Sequence, residues 1–324
     1  MNTLSLKKSQ LKKFLSKVMQ SHELIAPLKS DLVRFTKIEE PKQAGEIYLK
    51  ENAFFPLKEY FFRKQEQIFA FDGNKITVNI EKPQKRVFFG VRKCDLNAIK
   101  HQDMVFLEKN VDPYYKAQRD EAVLIGYHCN EAPSIYCFCG SMNLQDYYDL
   151  MFYDRGKEFI IDIGTEKGSK FLSGFKGMVK ASEYKITESD KKIEGTDRLF
   201  KKDISGLYDN PGWQKGVDMC VSCGACTTLC PTCYCFETKD KKDIHDTSKS
   251  ERIREWSSCQ VKEFTTVASG HTFREKREER FKHRIFHQLE YFKEKNGIDL
   301  CVGCGRCITG CPTRIDFVDI INKM

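Results

Sequence analysis

Two cysteine-rich segments share one pattern, and this repetition constrains the fold more than any other feature of the chain. The pattern C-x2-C-x2-C-x3-C-P occurs in CVSCGACTTLCP and again in CVGCGRCITGCP. Its cysteines are Cys220, Cys223, Cys226, Cys230, Cys301, Cys304, Cys307 and Cys311. In the bacterial ferredoxin run of this spacing, three thiolates bind one four-iron cube and the fourth binds the other cube. We therefore expect two 4Fe-4S clusters.

Each expected cluster takes ligands from both segments, because the fourth cysteine of a run crosses over. The two ligand sets are Cys220, Cys223, Cys226 and Cys311, and Cys301, Cys304, Cys307 and Cys230. Gly224, Gly303 and Gly305 fit this interpretation, since the backbone must turn tightly beside the cluster sulfurs. A pair of zinc sites is the alternative, but structural zinc favours cysteine pairs separated by a dozen or more residues.

The fifteen cysteines of the chain are expected to be reduced. The N-terminal segment MNTLSLKKSQLKKFLSKVMQ has the apolar spacing of a helix rather than the continuous apolar run of a signal peptide. No window approaches the roughly 18 to 20 apolar residues of a membrane span. We expect a cytoplasmic protein, and clustered cysteines in that compartment bind metal more often than they form disulfides.

Alternating strand and helix patterns occupy the first part of the chain. Residues 87–91, 122–126 and 159–164 predict buried strands, and helical patterns follow the first and the third. The fold class expected for residues 1–205 is an α/β domain with a mixed, mostly parallel sheet. Residues 206–324 are expected to form an α-helical ferredoxin-type dicluster domain. In it, a capping box at Thr272 and Glu275 starts a helix with apolar positions at Phe273, Phe281, Ile285, Leu289 and Phe292.

Four further cysteines are expected near the carboxyl ends of the parallel strands, where ligands collect. They are Cys94, Cys129, Cys137 and Cys139. Four thiolates suffice for a third 4Fe-4S cluster or an all-thiolate zinc site, and unliganded cysteines are the remaining alternative. Asp95 offers an oxygen ligand or a helix cap.

The last three cysteines, Cys233, Cys235 and Cys259, lie outside both groups. Free cysteine behaves as a small apolar residue, so thiols packed beside a cluster are one interpretation. Ligand exchange with Cys230 is the other.

The formal net charge of +8 raises the question of nucleic-acid binding. The basic run from Arg274 to Arg284 is interleaved with glutamates, which favours a solvated helix face and no nucleic-acid partner. Two bound clusters with their thiolates would lower the charge to about +4, and three to about +2. The sequence also lacks a G-x-G-x-x-G fingerprint and a P-loop, so nucleotide binding by this chain has no local signature.

Several segments together resemble a known family. They are NAFFPLKEYFFRKQEQIFAF, FFGVRKCDLNAIKHQD, YYKAQRDEAVLIGYHC, YCFC, CPTCYCF, REWSSCQ, SGHTFR and CVGCGRC. They resemble the beta subunit of cytosolic nickel-iron sulfhydrogenases and the corresponding iron-sulfur subunit of anaerobic sulfite reductase, over nearly the whole chain.

The resemblance implies an electron-transfer subunit without catalytic residues of its own. Its partners would be a flavin- and NAD(P)-binding reductase and, as the catalytic subunit, either a nickel-iron hydrogenase or a sirohaem sulfite reductase. Electron donation to a heterodisulfide reductase is a related use. The alternative from another class is an enzyme that reduces polysulfide or a thiol at the N-terminal cysteines, with His101 and His128 close to them in sequence.

Overall fold

A computed structural model describes residues 3–201 and 203–324. The strands are β1 (Leu4–Lys7), β2 (Glu23–Lys29), β3 (Val33–Lys37), β4 (Gln65–Asp72), β5 (Lys75–Thr77), β6 (Arg86–Val91), β7 (Ala122–Tyr127), β8 (Leu150–Asp154), β9 (Glu158–Ile163), β10 (Lys180–Ala181), β11 (Phe236–Lys242) and β12 (Lys249–Trp256). The α-helices are α1 (Leu11–Val18), α2 (Lys93–Asp103), α3 (Pro113–Arg119), α4 (Glu166–Ser173), α5 (Glu188–Lys191), α6 (Gln214–Met219), α7 (Ala225–Thr228), α8 (Arg277–Phe286), α9 (Phe292–Asn296), α10 (Arg306–Thr309) and α11 (Phe317–Asn322).

The larger sheet has the order β10-β1-β9-β8-β7-β6-β2-β3. Only its centre is parallel: β2 with β6, β6 with β7, and β7 with β8. The other four neighbouring pairs are antiparallel. The predicted mixed sheet is present, but the expectation of a mostly parallel sheet was wrong. The apolar runs in the sequence correspond to inner strands of this sheet. The strands nearer its edges are short and partly polar, so the sequence did not reveal them.

Both faces of the central strands are buried, which explains their continuous apolar sequences. Val87 and Phe89 of β6 face one core, which α1 covers with Phe14 and Leu15. Phe88, between them, faces the opposite core. There it lies 4.9 Å from the ring of Phe61, centroid to centroid.

A second, four-stranded sheet has the order β11-β12-β4-β5. It joins a hairpin from between the two cysteine runs to strands from the first part of the chain. At its base the buried Arg254 guanidinium donates to Glu66 Oε2 at 2.6 Å and also pairs with Asp112. The expectation of an α-helical dicluster region was therefore wrong, because two strands lie between Phe236 and Trp256. These strands are rich in charged residues, so they lack the apolar alternation by which a strand is recognised in a sequence. The predicted boundary near residue 205 stays a prediction.

The helix between the cysteine runs begins four residues later than the capping signal predicts. It runs through α8, a π-helical turn (His287–Tyr291) and α9. At its start, the Lys276 N–H donates to Glu279 at 2.9 Å. Phe273 lies before the helix and is 64% exposed, whereas the other four predicted apolar positions are buried. Among the described residues, no helix is both long and apolar enough to cross a membrane.

Candidate iron-sulfur site

All eight cysteines of the repeated pattern line one cavity that opens to solvent. The cavity lies between the two cysteine runs and the helix that begins at Arg277. Apolar side chains, including Phe281, Ile285 and Phe317, form much of the remaining wall. The fold thus brings together two segments that are about 80 residues apart in the chain, as the crossed ligand sets require.

The two runs repeat the same local contacts. In each run the N–H two residues after the first cysteine donates to its sulfur at 3.4 Å, from Ser222 to Cys220 and from Gly303 to Cys301. In each run a threonine hydroxyl also contacts the last cysteine, Thr232 at 3.1 Å from Cys230 Sγ and Thr313 at 3.4 Å from Cys311 Sγ. N–H and O–H groups pointed at thiolate sulfur stabilise its negative charge.

Positive-φ residues set the tight turns of both runs. Gly224 (φ 76°) and Gly305 (φ 72°) immediately precede α7 and α10. Gly303 (φ 65°) has a further constraint, because a Cβ there would lie 2.5 Å from the backbone nitrogen of Cys139. The sequence predicted these glycines as turns beside the sulfurs. The structure adds that Gly303 is where the second run touches the N-terminal cysteines.

Cys230 of the first run lies among the cysteines of the second run. Burial raises the pKa of Cys301, Cys304 and Cys307, and the nearby Cys230 thiol raises each of them further. This neighbourhood fits the expected crossing of the fourth ligand. Buried thiols with raised pKa values need a compensating positive charge to ionise, and bound iron supplies one.

Arg284 places a fixed positive charge on the wall of the cavity. Burial acts to lower the pKa of Arg284. The negative charges of the Cys230, Cys226 and Cys307 thiolates outweigh burial, so the pKa is raised. Its Nη2 donates to the Cys226 carbonyl at 3.2 Å. Its buried Nε has no hydrogen-bond partner among the described residues. An unsatisfied buried donor on the wall fits a cavity that receives an anionic group.

The four N-terminal cysteines are also close together. Burial raises the pKa of Cys139 to about 12, and the neighbouring thiols of Cys129, Cys137 and Cys304 add to it. Burial raises the pKa of Cys94 as well, with Cys139 and Cys304 among its neighbours. Cys94 packs in one apolar cluster with Cys304 and Val302. The N-terminal cysteines therefore adjoin a cysteine of the second run.

Arg306 binds both carboxylate oxygens of Asp95. Asp95 is 1% exposed, and both N–O distances of this ion pair are 2.7 Å. The Asp95 side chain does not cap α2 either, because the N-cap Arg92 has no side-chain cap and Asp95 lies inside the first turn.

Cys233, Cys235 and Cys259 form a third group of thiols. The Cys235 thiol interacts with the thiols of both others, and these interactions are the largest cause of its raised pKa. The interaction with Cys235 is likewise the largest cause of the lowered pKa of Cys233. We call these three residues the trithiol.

A single-ion site is not formed anywhere in the described ranges, where no three His, Cys, Asp or Glu side chains are placed to hold one metal ion. Four thiolates on one zinc ion must converge on one point, whereas thiolates on a cube bind separate iron atoms. The eight cysteines are spread around one cavity and do not converge on a single point, which matches the second arrangement.

The fold and the cysteines define an iron-sulfur protein, and residues 219–315 match the family described as a 4Fe-4S dicluster domain. The domain implies two 4Fe-4S clusters and a role in electron transfer. Over 306 residues the chain is 32% identical to the sulfhydrogenase 2 subunit beta of Pyrococcus furiosus, covering 89% of this chain and 88% of the relative. The chain belongs to the sulfhydrogenase beta subunit family.

Sequence reasoning missed the basic residues of the site. The basic run was expected to be solvated, but Arg280 and Lys282 are buried and Arg284 reaches the cavity. Arg280 donates to the backbone carbonyls of Gln260 and Arg274, each at 3.1 Å. The available signal was the helical spacing of Arg280 and Arg284 with Phe281 and Ile285, which puts cations beside the apolar stripe.

Proposed function

We propose that this chain relays electrons between a flavin- and NAD(P)-binding partner and a catalytic subunit, through a line of three iron-sulfur clusters. The observation that supports it most is the adjacency of the three ligand sets. Cys230 of the first run lies beside Cys301, Cys304 and Cys307 of the second. Cys304 in turn lies beside Cys94 and Cys137. A bound 4Fe-4S cluster gains or loses one electron at a time.

The third cluster is supported by the burial and mutual proximity of its four thiols. Cys94, Cys129 and Cys137 are each less than 9% exposed, and Cys139 is half-buried. The Asn52 amide adds a weak contact to Cys137 Sγ at 3.9 Å. The carbonyl of Gly303 accepts the Phe138 N–H at 2.8 Å, which fixes the segment that carries Cys137 and Cys139 against the second run.

One end of the relay is open to a partner. Cys223 is exposed, and its neighbour Val221 is 60% exposed. An apolar side chain and a ligand thiol at the surface suit contact with another subunit, because electron transfer needs a short gap between centres. The name of the Pyrococcus relative, a sulfhydrogenase subunit, supports a nickel-iron hydrogenase as the catalytic partner in this proposal. A sirohaem sulfite reductase or a heterodisulfide reductase would use the same relay.

The alternative, reduction of polysulfide or a thiol at the N-terminal cysteines, has less support. The His101 ring donates its Nδ1–H to the Leu300 carbonyl at 3.1 Å. His128 stacks on Tyr153 at 4.8 Å. Burial lowers the pKa of each to about 4, so neither is charged at neutral pH. Neither ring is set up as an acid beside a reactive sulfur.

Iron analysis of single variants tests the third cluster. Anaerobically purified wild-type chain is expected to hold about twelve irons, and Cys137→Ser about eight. Cys259→Ser is the matched control and should keep the wild-type content. An unchanged iron content in Cys137→Ser, with wild-type content near eight, would refute the third cluster and leave the two-cluster domain intact.

Isolation of the native complex tests the partners. A flavoprotein and a nickel-iron protein should co-purify with the chain, and Val221→Asp should weaken one of these contacts at least tenfold while iron content stays unchanged. A sirohaem protein in place of the nickel-iron protein would reassign the catalytic partner. Purification of the chain without any redox partner would contradict the relay.

A further inference from the structure

The trithiol is assembled by the β11–β12 hairpin. The ladder pairs Phe236 with Trp256, and the next bond, from Ser257 N–H to the Cys235 carbonyl at 3.0 Å, keeps the register. Cys233 and Cys259 lie just beyond this end of the ladder, at positions that face each other if the register is continued. Residues facing each other across antiparallel chains have side chains within contact distance. The hairpin thus brings the three sulfurs together before any ligand is considered.

The trithiol is enclosed and faces a cation. Cys233 is 8% exposed and Cys259 4% exposed. The Lys58 ammonium is buried there, donating to the carbonyls of Cys233 at 3.1 Å and Thr227 at 3.4 Å and lying 4.2 Å from the Trp256 ring centre. Burial lowers the pKa of Lys58 and the neighbouring Cys233 thiol raises it, while Lys58 adds to the lowering of the Cys233 pKa that Cys235 begins.

The trithiol adjoins the iron-sulfur cavity. Cys233 follows the ligand position Cys230 by three residues and donates its N–H to the Cys230 carbonyl at 3.3 Å. Cys259 is among the groups that act on both Cys226 and Arg284. In the crossed ligand sets Cys226 belongs to one cluster and Cys230 to the other, so a redox group at this place would exchange electrons with both.

We propose that the trithiol is a two-electron redox site, in which Cys235 and Cys259 form a reversible disulfide coupled to the two adjacent clusters. Cys235 lies beside both other thiols, so attack of the Cys233 thiolate on Cys235 would form a Cys233–Cys235 disulfide and release the Cys259 thiolate, with no change in oxidation level. In the reducing direction, the S–S bond breaks, two electrons come from two reduced clusters, and two protons from solvent give two thiols. In the oxidising direction, the thiols lose two protons and pass one electron to each cluster. The trithiol would thus convert one-electron flow into two-electron sulfur chemistry.

Thiol mapping of the full chain tests this proposal, which rests on bound clusters. Anaerobic wild-type protein is poised with oxidised or reduced dithiothreitol, quenched in acid, alkylated and digested. The oxidised sample should yield a peptide pair cross-linked through Cys235 and Cys259, and the reduced sample should yield both peptides alkylated. If iron-loaded protein shows no Cys235–Cys259 cross-link under either condition, the disulfide proposal is overturned and the electron relay is not. Iron-free wild-type protein would overturn the relay and this inference with it.

Reductive titration of variants gives a second readout. Oxidised wild-type chain should take up about two more electrons than Cys235→Ser, because one disulfide accepts two. Cys235→Ser and Cys259→Ser should both keep the wild-type iron content. Loss of about four irons in either variant would show that these thiols are cluster ligands and would overturn the disulfide. Equal electron uptake by wild type and Cys235→Ser would overturn it as well.

Discussion

Arg306 and Asp95 form a buried ion pair that joins α10 of the second cysteine run to α2 of the larger sheet. The two side chains are 4% and 1% exposed and meet through two parallel N–O contacts of 2.7 Å. Arg306 also donates through Nε to the Ala53 carbonyl at 2.7 Å. Cys94 and Cys307 are the immediate neighbours of these residues in the chain. The pair therefore fixes the N-terminal cysteines relative to the second run.

Removing one charge of this pair should be costly. Asp95→Asn leaves the Arg306 guanidinium buried without a counter-charge, which typically costs about 3 to 5 kcal/mol. The matched control is Asp120→Asn, which breaks an exposed pair with Lys116 and should change the free energy of unfolding by less than about 1 kcal/mol. Anaerobic guanidinium unfolding measures both. Equal effects of the two substitutions would contradict the structural importance of the buried pair.

A side chain at Gly303 should separate the second run from the N-terminal cysteines. In Gly303→Ala the new Cβ would lie 2.5 Å from Cys139 N and 2.6 Å from Phe138 C, at a φ of +65°. We expect a loss of about 2 to 5 kcal/mol from strain and overpacking. Gly195→Ala has a similar φ of +73° with nothing within 4 Å, so it should cost only about 1 to 2 kcal/mol. Thermal unfolding compares the two, and a Gly303→Ala variant as stable as Gly195→Ala would be unexpected.

His101 should make the fold sensitive to acid. Burial lowers its pKa from 6.5 to about 4. Between these two pH values the unfolded state binds more protons than the folded state. The free energy of unfolding therefore falls as the pH falls from 6.5 towards 4, and the loss is complete below the folded pKa. Wild type should lose on the order of 3 kcal/mol more than His101→Gln across this window.

The control for this pH effect is His245→Gln at an exposed position, which should follow the wild-type curve. Unfolding midpoints measured at several pH values give the comparison. Parallel curves for wild type and His101→Gln would show that His101 does not contribute.

The charge of Arg284 should raise the reduction potential of the adjacent clusters. Reduction adds negative charge, which a nearby cation stabilises, so Arg284→Gln should lower the midpoint by roughly 50 to 100 mV for a unit charge at about 8 to 10 Å and an effective dielectric constant of about 20. Lys295→Gln, at an exposed position, is the control and should shift it by less than about 20 mV. Redox titration monitored by electron paramagnetic resonance measures both, and an unshifted midpoint in Arg284→Gln would contradict this role.

The sequence predicted the strands that are buried on both faces and the helix that has one apolar stripe. The runs at 87–91, 122–126 and 159–164 correspond to β6, β7 and β9, because strands buried on both faces are continuously apolar. The apolar stripe of Leu11, Phe14, Leu15 and Val18 corresponds to α1. The cysteine spacing alone identified eight residues that line one cavity.

Other features depend on contacts that the sequence does not display. The hairpin β11–β12 is highly charged, and Arg252 pairs with Asp240 across it, so its strands have no apolar alternation to recognise. The partner of Asp95 lies 211 positions away in Arg306. The trithiol depends on the hairpin register and could not be assembled from the spacing of Cys233, Cys235 and Cys259.

Anaerobic iron quantitation with low-temperature electron paramagnetic resonance of the dithionite-reduced chain tests the account most directly. We predict about twelve irons per chain, about eight of them in the two clusters of the repeated pattern, and the signals of interacting reduced 4Fe-4S clusters. A colourless, iron-free protein without a signal after reduction would contradict it.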